Sequence, residues 1–172
     1  MNRLPIILIF GVLFLAASAP TSNTAGEKEI TWYSMEEAQQ LAREHGKKVL
    51  VYALAEWCGY CKKMEKEVYP EQDVINTLAK YYYPVRLDIE SDREITFNNE
   101  VMTESQFALK FRISGTPTFY FLDDQGEMLG AQPGFIPADT FNNLLIYVGS
   151  GAFMEVKFDE FMKRKHTDSG SK

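Results

Sequence analysis

Short apolar runs alternate along this chain with longer stretches of helical periodicity. The continuous apolar run at 48–55 predicts a central strand that is buried on both faces. Shorter apolar runs predict strands at 84–89, 117–122 and 127–131, with a hairpin turn at 123–126 joining the last two. Strands that alternate with helices predict an α/β domain.

Six predicted helices accompany these strands. The segments Ser34–Glu37 and Thr103–Gln106 have the form of capping boxes, which mark helix starts. The predicted helices cover 34–45, the stretch from Cys58 to about 68, a segment from Asp73 as its cap to about 80, 103–111, 137–148 and 152–164. The polar stretch 91–102 has no period and predicts an exposed loop, and 166–172 predicts a disordered tail.

The N-terminus has the form of an export signal. Arg3 precedes an almost wholly apolar run of about 14 residues at 4–17, which ends in the small residues Ala17-Ser18-Ala19. An uncleaved membrane anchor is the alternative, but spanning a bilayer needs about 20 apolar residues. We therefore expect a signal peptide at 1–19. The rigid amide of Pro20 hinders hydrolysis after Ala19, so the cut is expected one or a few residues away.

The export signal determines where the mature protein is expected and where its chain begins. Residues 20–30 are polar and predict a flexible lead-in. The protein is expected in the periplasm or outside the cell, and not as a stable membrane protein.

Composition predicts a globular protein and excludes one class of partner. The chain has 172 residues, of which 45% are hydrophobic and 13% aromatic, enough for a packed core. Its formal net charge of −6 gives no general attraction to nucleic acid or to anionic lipid. We expect no nucleic-acid partner.

The two cysteines of the chain, Cys58 and Cys61, lie where the central strand gives way to a helix. Positions i and i+3 on a first helical turn share a face at about the 4.4–6.8 Å Cα separation that a disulfide requires. The helix N-terminus favours thiolate over thiol at Cys58. The pattern predicts a redox-active dithiol.

Two other uses of the cysteine pair compete with redox chemistry. Zinc needs four ligands, and beyond the cysteines the chain offers only His45 and His166, without finger-like or ribbon-like spacing. A purely structural disulfide would close a very short loop and would stabilise the fold little. We expect no metal site and no cofactor.

The order of elements and two motifs resemble the thioredoxin family over about 31–149. The motifs are Trp57-Cys58-Gly59-Tyr60-Cys61-Lys62 and Gly115-Thr116-Pro117-Thr118. The resemblance implies a thioredoxin-like domain at 31–165, with a central mixed β-sheet flanked by helices, an extended loop before the fold's third helix and an extra C-terminal helix. The ending at 147–153 and 158–161 further resembles periplasmic SoxW-type thioredoxins, and 57–68 resembles thiol-reducing domains of membrane electron transporters.

The resemblance also implies roles for single residues. Cys58 aligns with an exposed nucleophilic cysteine and Cys61 with a buried resolving one. Pro117 aligns with a cis-proline, and the preceding Thr116 with a residue whose backbone binds the substrate strand. The other implied substrate-binding residues are Trp57, Gly59, Tyr60 and Gly134, and the implied tuning residues are Glu56, Lys62 and Arg86.

One position departs from the family pattern. Many thioredoxins carry a buried aspartate six residues before the nucleophile, where it assists proton transfer to the resolving cysteine, and this chain has Tyr52 there. A neutral phenol cannot act as a carboxylate base near neutral pH. Arg86 or the nearby Glu90 is the expected substitute.

The expected function is that of an exported thiol–disulfide oxidoreductase that reduces protein disulfides by cycling Cys58 and Cys61. Its expected partners are disulfide-bearing proteins and a membrane thiol–disulfide electron donor. An oxidant or isomerase is the first alternative, because Gly59-Tyr60 is also the dipeptide of periplasmic disulfide isomerases. A redox-inactive module that binds peptides in the thioredoxin groove is the second.

Overall fold

The computed structural model describes residues 29–169. The predictions for the signal peptide (1–19), for most of the lead-in (20–30) and for the last residues of the tail lie outside this range. Within it, no helix has the length and apolar character needed to cross a membrane.

A four-stranded mixed sheet forms the centre of the domain, in the order β2-β1-β5-β6. β1 runs parallel to β2 and antiparallel to β5, and β5 runs antiparallel to β6. These strands are β1 (Lys48–Leu54), β2 (Tyr82–Asp88), β5 (Thr118–Leu122) and β6 (Met128–Pro133), and a separate hairpin comprises β3 (Glu94–Phe97) and β4 (Glu100–Thr103). The central strand β1 is buried on both faces, as its continuous apolar run predicts.

Six α-helices and one 3₁₀ turn surround the strands of the described chain. They are α1 (Met35–His45), α2 (Gly59–Glu67), α3 (Gln72–Tyr81), α4 (Glu104–Lys110), α5 (Ala138–Gly149), the 3₁₀ turn (Ala152–Met154) and α6 (Phe158–Ser169). Alternate residues of β1 face two hydrophobic clusters. One cluster contains residues of α2, α3 and α5, and the other contains residues of α1, α4 and the hairpin.

Both predicted capping boxes begin a helix. Ser34 Oγ accepts a hydrogen bond from the Glu37 N–H at 3.1 Å. Thr103 and Gln106 make the complete reciprocal pair at the start of α4. The cap predicted at Asp73 is wrong, since α3 begins at Gln72 without a side-chain cap.

The stretch 91–102 is not the exposed loop that its composition predicts. It forms most of the β3–β4 hairpin and buries Ile95, Phe97 and Met102 against the α1 side of the sheet. Its turn residues Asn98 and Asn99 both have positive φ, which asparagine tolerates better than most residues. β3, Glu-Ile-Thr-Phe, alternates polar and apolar residues as a half-buried strand does, but it is only four residues long, and β4 shows no such alternation.

Gln39 of α1 holds the hairpin in place. This buried side chain donates to the carbonyls of Met35 and Thr96 and accepts from the Asn98 N–H, each at 2.9 Å. A hydrogen-bonding contact between such distant segments has no signature in local sequence, which explains why the prediction failed.

The C-terminal region also differs from the single helix predicted at 152–164. It divides into the 3₁₀ turn and α6, and the Tyr147 hydroxyl donates to the Val156 carbonyl at 2.7 Å in the connection. α6 extends to Ser169, so it includes the beginning of the segment 166–172 that was predicted to be disordered.

Candidate active site

A disulfide joins Cys58 to Cys61 at the start of α2, with 5.2 Å between their Cα atoms. The Cys58 N–H donates to the Ala55 carbonyl at 3.0 Å, which turns the chain after β1. Cys58 is the N-cap residue of α2, and its Sγ accepts from the Cys61 N–H at 3.0 Å. The dithiol therefore lies at the strand-to-helix junction where its spacing predicts it.

Both cysteines are buried, although the resemblance implies an exposed Cys58. Cys58 is 3% exposed and Cys61 is 4% exposed. Their disulfide belongs to the hydrophobic cluster that also contains Ile136. The bond to Cys61 and this packing cover Cys58 in the oxidised protein, so reaction with a partner requires Cys58 to become more accessible.

The loop that contains Pro117 lies at the same edge of the sheet as the disulfide. Thr118 pairs with Ala53 near the end of β1, and with Pro133 of β6 on its other side. The Thr116–Pro117 peptide bond is cis, the isomer that the resemblance implies. The register thus brings Pro117, Gly134 and the cysteines to one end of the molecule.

A hydrogen bond ties Gly134 to this loop. The Gly134 N–H donates to the Pro117 carbonyl at 2.8 Å, and Gly134 has φ of 90°. Among residues 29–169, no hydrogen bond uses the backbone N–H or carbonyl of Thr116. The buried Thr116 Oγ1 also has no partner there. The Thr116 backbone therefore has no hydrogen-bond partner within this range.

Two exposed aromatic side chains accompany the cysteines, one before Cys58 and one between the two cysteines in sequence. Trp57 is 64% exposed and Tyr60 is 63% exposed. The Tyr60 ring stacks on Phe135 with 6.2 Å between centroids, and Lys63 Nζ lies 4.4 Å from the Phe135 centroid. We call Tyr60, Phe135 and Lys63 the aromatic ledge.

Sequence reasoning missed two members of the ledge. Lys63 follows Tyr60 at helical i,i+3 spacing, and Phe135 follows Gly134, so both had a local signal. Only the fold shows that they meet.

Tyr52 lies beneath α2 and binds its backbone. The Tyr52 hydroxyl donates to the Cys61 carbonyl at 3.2 Å, and its ring stacks on Phe119 at 5.6 Å. Burial raises the pKa of Tyr52, the negative charge of Glu65 raises this pKa further, and Arg86 opposes the rise. Tyr52 therefore remains a neutral donor and cannot take a proton from Cys61.

Arg86 pairs with a carboxylate that the sequence analysis did not consider. Its guanidinium lies 3.4 Å from the Glu65 carboxylate and 4.4 Å from the centroid of Trp32. Glu65 lies one turn after Cys61 on α2, at the i,i+4 spacing that could have identified it. Glu90 is exposed in the turn after β2, where its N–H binds Asp88 Oδ1 at 3.0 Å.

The two other predicted tuning residues are solvated. Glu56 and Lys62 are exposed, and neither side chain forms a hydrogen bond or ion pair within the described part of the chain. The structure offers no contact through which either residue acts on the sulfurs.

No group of three or more histidine, cysteine or acidic residues within 29–169 is arranged to hold a metal ion. His45, one of the two histidines considered for zinc, pairs its Nδ1 with the Tyr83 hydroxyl at 2.6 Å.

Comparison with protein families gives a match over most of the described domain. The model of the thioredoxin-like domain family covers residues 35–149. This chain belongs to the thioredoxin-like family. Its central mixed sheet, flanking helices and CxxC disulfide at a helix start are those of the thioredoxin fold.

Relatives of this thioredoxin-like chain include a thiol:disulfide interchange protein, DsbD, of Actinobacillus pleuropneumoniae serotype 5b (strain L20). The two are 32% identical over 131 residues, which cover 74% of this chain and 21% of DsbD. The chain thus spans about a fifth of the length of that relative.

Solved structures with the same fold include a thioredoxin from Thermus thermophilus and a thioredoxin-fold protein from Helicobacter pylori. The Thermus protein is 28% identical, with a TM-score of 0.59 over 70% of this chain and 88% of its own. The Helicobacter protein is 23% identical, with a TM-score of 0.60 over 70% of this chain and 80% of its own. The second likeness concerns the fold alone.

Proposed function

We propose that this protein is an exported thiol–disulfide oxidoreductase that reduces disulfides in other proteins through Cys58 and Cys61. The observation that carries the proposal is the Cys58–Cys61 disulfide within the first turn of α2. Such a bond can open and close without unfolding the domain. The thioredoxin-like family and the similarity to thiol:disulfide interchange proteins support this function.

The reaction follows from the positions of the two sulfurs. The Cys58 thiolate attacks one sulfur of a substrate disulfide, and the other substrate sulfur leaves as a thiolate that takes up a proton. Cys61 then loses its proton and attacks Cys58 Sγ. This step forms the Cys58–Cys61 disulfide and releases the second substrate thiolate, so two electrons pass from the protein to the substrate.

Backbone groups support the first step. The Cys61 N–H already points at Cys58 Sγ, and the same donor stabilises a thiolate there. The unpaired backbone of Thr116 binds the substrate strand beside Pro117. Trp57, Gly59, Tyr60 and Gly134 line the approach.

Proton transfer from Cys61 requires a base other than Tyr52. We assign it to Glu65, which lies one turn along the same helix and whose charge acts on the Tyr52 hydroxyl. Arg86 holds this carboxylate in place. Glu65→Gln should slow closure of the Cys58–Cys61 disulfide and leave the initial attack by Cys58 unchanged.

Trapping experiments test the roles of the two cysteines. With Cys61 replaced by Ala, the mixed disulfide on Cys58 cannot be resolved, so covalent complexes with substrate should accumulate on non-reducing gels. The matched variant Cys58→Ala should trap none. Equal loss of activity without trapping in either variant would contradict the assignment.

The direction of electron flow is tested by the redox potential of the Cys58–Cys61 couple. A change of about 30 mV corresponds to only 1.4 kcal/mol for a two-electron couple, so small local differences decide direction. A potential near that of thioredoxin, about −270 mV, supports a reductase. A potential near −120 mV supports the alternative of an oxidant or isomerase, of which the isomerase shares the Gly59-Tyr60 dipeptide.

A reductase outside the cytoplasm needs a source of electrons, which we propose to be a membrane thiol–disulfide transporter. Reduction of insulin with dithiothreitol as electron donor separates catalysis from mere peptide binding. A redox-inactive module would leave the turbidity lag unchanged.

We also propose that the protein is exported through a signal peptide at 1–19 and that it is a thioredoxin of the SoxW type. The apolar run at 4–17 supports export, and the ending at 147–153 and 158–161 supports the subtype. Expression in a bacterium followed by N-terminal sequencing of the periplasmic fraction tests export. A periplasmic protein that begins near Pro20 is expected, and an uncleaved chain in the cytoplasm would refute it.

A further inference from the structure

The aromatic ledge is fixed relative to the disulfide from two directions. Tyr60 lies between the two cysteines on the first turn of α2, so the helix sets the position of its ring. Phe135 arrives from the other side, after β6. The positive φ of Gly134 and its bond to Pro117 turn the chain there, so that Ile136 is buried and Phe135 remains partly exposed against Tyr60.

The ledge also includes a cation. The Lys63 ammonium lies over the Phe135 ring, and its ion pair with Glu67, at 3.7 Å, is exposed to solvent and therefore weak. Lys62, the preceding residue of α2, is also exposed. The ledge thus places a solvent-accessible ammonium group, that of Lys63, against the Phe135 ring.

A ring face beside an ammonium group matches a particular substrate chemistry. Tyr60 and Phe135 offer stacking to an aromatic side chain, and Lys63 offers a partner to a carboxylate. We propose that the aromatic ledge determines substrate specificity by binding an aromatic side chain that adjoins an acidic residue, close to the reactive cysteine of the substrate. This inference rests on the proposed function and names the substrate class for the same site.

Single-turnover kinetics with four short peptides test the proposal. Each peptide carries one cysteine as a mixed disulfide with cysteamine and, two residues away, the pair Phe-Asp, Phe-Lys, Ala-Asp or Ala-Lys. Pre-reduced protein is mixed with each peptide, and tryptophan fluorescence reports the reaction. We expect Phe peptides to react roughly two- to ten-fold faster than Ala peptides. We expect Asp peptides to react roughly two- to five-fold faster than Lys peptides.

Variants assign each preference to its residue. Phe135→Ala should bring the Phe/Ala rate ratio close to one, whereas Phe135→Tyr should keep it. Lys63→Met should remove the Asp/Lys ratio and retain the Phe/Ala ratio. Leu109→Ala is the matched control, because Leu109 is 79% exposed on α4, on the opposite face of the sheet, and both ratios should remain. Ratios are internal to each variant, so a general loss of activity does not imitate a loss of selectivity.

Two failures are distinguishable. If the reduced protein reacts with cystamine, a small disulfide, but shows no preference among the peptides, the ledge inference is wrong and the proposed function stands. If it reacts with neither cystamine nor any peptide, the proposed function itself is refuted. Preferences that persist in Phe135→Ala would also overturn the role of the ledge.

Discussion

Three buried tyrosines differ in what their hydroxyl groups bind. Replacing a tyrosine by phenylalanine should lower the stability of the fold where the hydroxyl is bonded and raise it where the hydroxyl has no partner. The Tyr82 hydroxyl donates to the Leu145 carbonyl at 2.7 Å, and the Tyr52 hydroxyl donates to the Cys61 carbonyl at 3.2 Å. The Tyr69 hydroxyl is buried and has no partner within residues 29–169. Each substitution removes one hydroxyl and keeps the ring.

The magnitudes follow from the state of each hydroxyl. A typical hydrogen bond contributes about 0.5–1.5 kcal/mol net, so Tyr82→Phe should lower the free energy of unfolding by about 1 kcal/mol, and Tyr52→Phe, with the longer bond, by about 0.5 kcal/mol. A buried hydroxyl without a partner costs about 1–3 kcal/mol, so Tyr69→Phe should raise the free energy of unfolding by about that amount. The Tyr69 ring retains its packing against Trp32 and Phe141.

Urea denaturation of the oxidised protein measures these differences. The slope against urea should be the same in all variants, so that a shift in midpoint reports stability alone. In thermal unfolding, each kcal/mol should move the Tm by about 2–4 °C. If Tyr69→Phe lost as much stability as Tyr82→Phe, the Tyr69 hydroxyl would have a bonding partner in solution, and the reasoning would be refuted.

Further predictions concern pH, the hairpin and the glycine beside Pro117. Burial raises the pKa of all three tyrosines in the folded protein. Above pH 10 the unfolded chain therefore loses protons that the folded protein keeps. The free energy of unfolding should fall as the pH rises, by up to about 1.4 kcal/mol per pH unit for each tyrosine. Equal urea midpoints at pH 9 and 11 would contradict this. Gln39→Ala removes one buried and two partly buried hydrogen bonds and should cost about 2–3 kcal/mol, with faster amide exchange at 94–103. Unchanged exchange there would oppose the role of Gln39. Gly134→Ala forces a side chain into positive φ, so it should lower the free energy of unfolding by roughly 1–2 kcal/mol and lower kcat/KM for insulin. The control Gly130→Ala meets open space at an ordinary φ and should do neither. Equal effects of the two substitutions would argue against strain at Gly134.

Local sequence predicted those parts of the fold that local physics determines. The run at 48–55 reads as a buried strand because no polar residue interrupts its apolar core, and the two capping boxes mark helix starts through contacts that span three residues. The β3–β4 hairpin depends instead on Gln39, which is distant in sequence. Only β3 alternates polar and apolar residues, and four residues are a weak signal against the polar composition around them.

At the site, sequence located the sulfurs but not Glu65, the carboxylate that we propose as the base. Spacing alone indicates that Tyr52 stands where many thioredoxins carry a buried aspartate, but only the fold shows where the negative charge has gone. Glu65 is half-exposed and paired with Arg86, so its charge avoids most of the desolvation cost that a buried carboxylate pays. The buried position is left to a neutral hydroxyl that binds the Cys61 carbonyl and so anchors the first turn of α2. One buried carboxylate can both hold the helix and accept the proton. In our proposal these tasks are divided here: Tyr52 holds the helix, and Glu65 accepts the proton. Replacing either residue should therefore affect a different measurement, stability for Tyr52 and the rate of disulfide closure for Glu65.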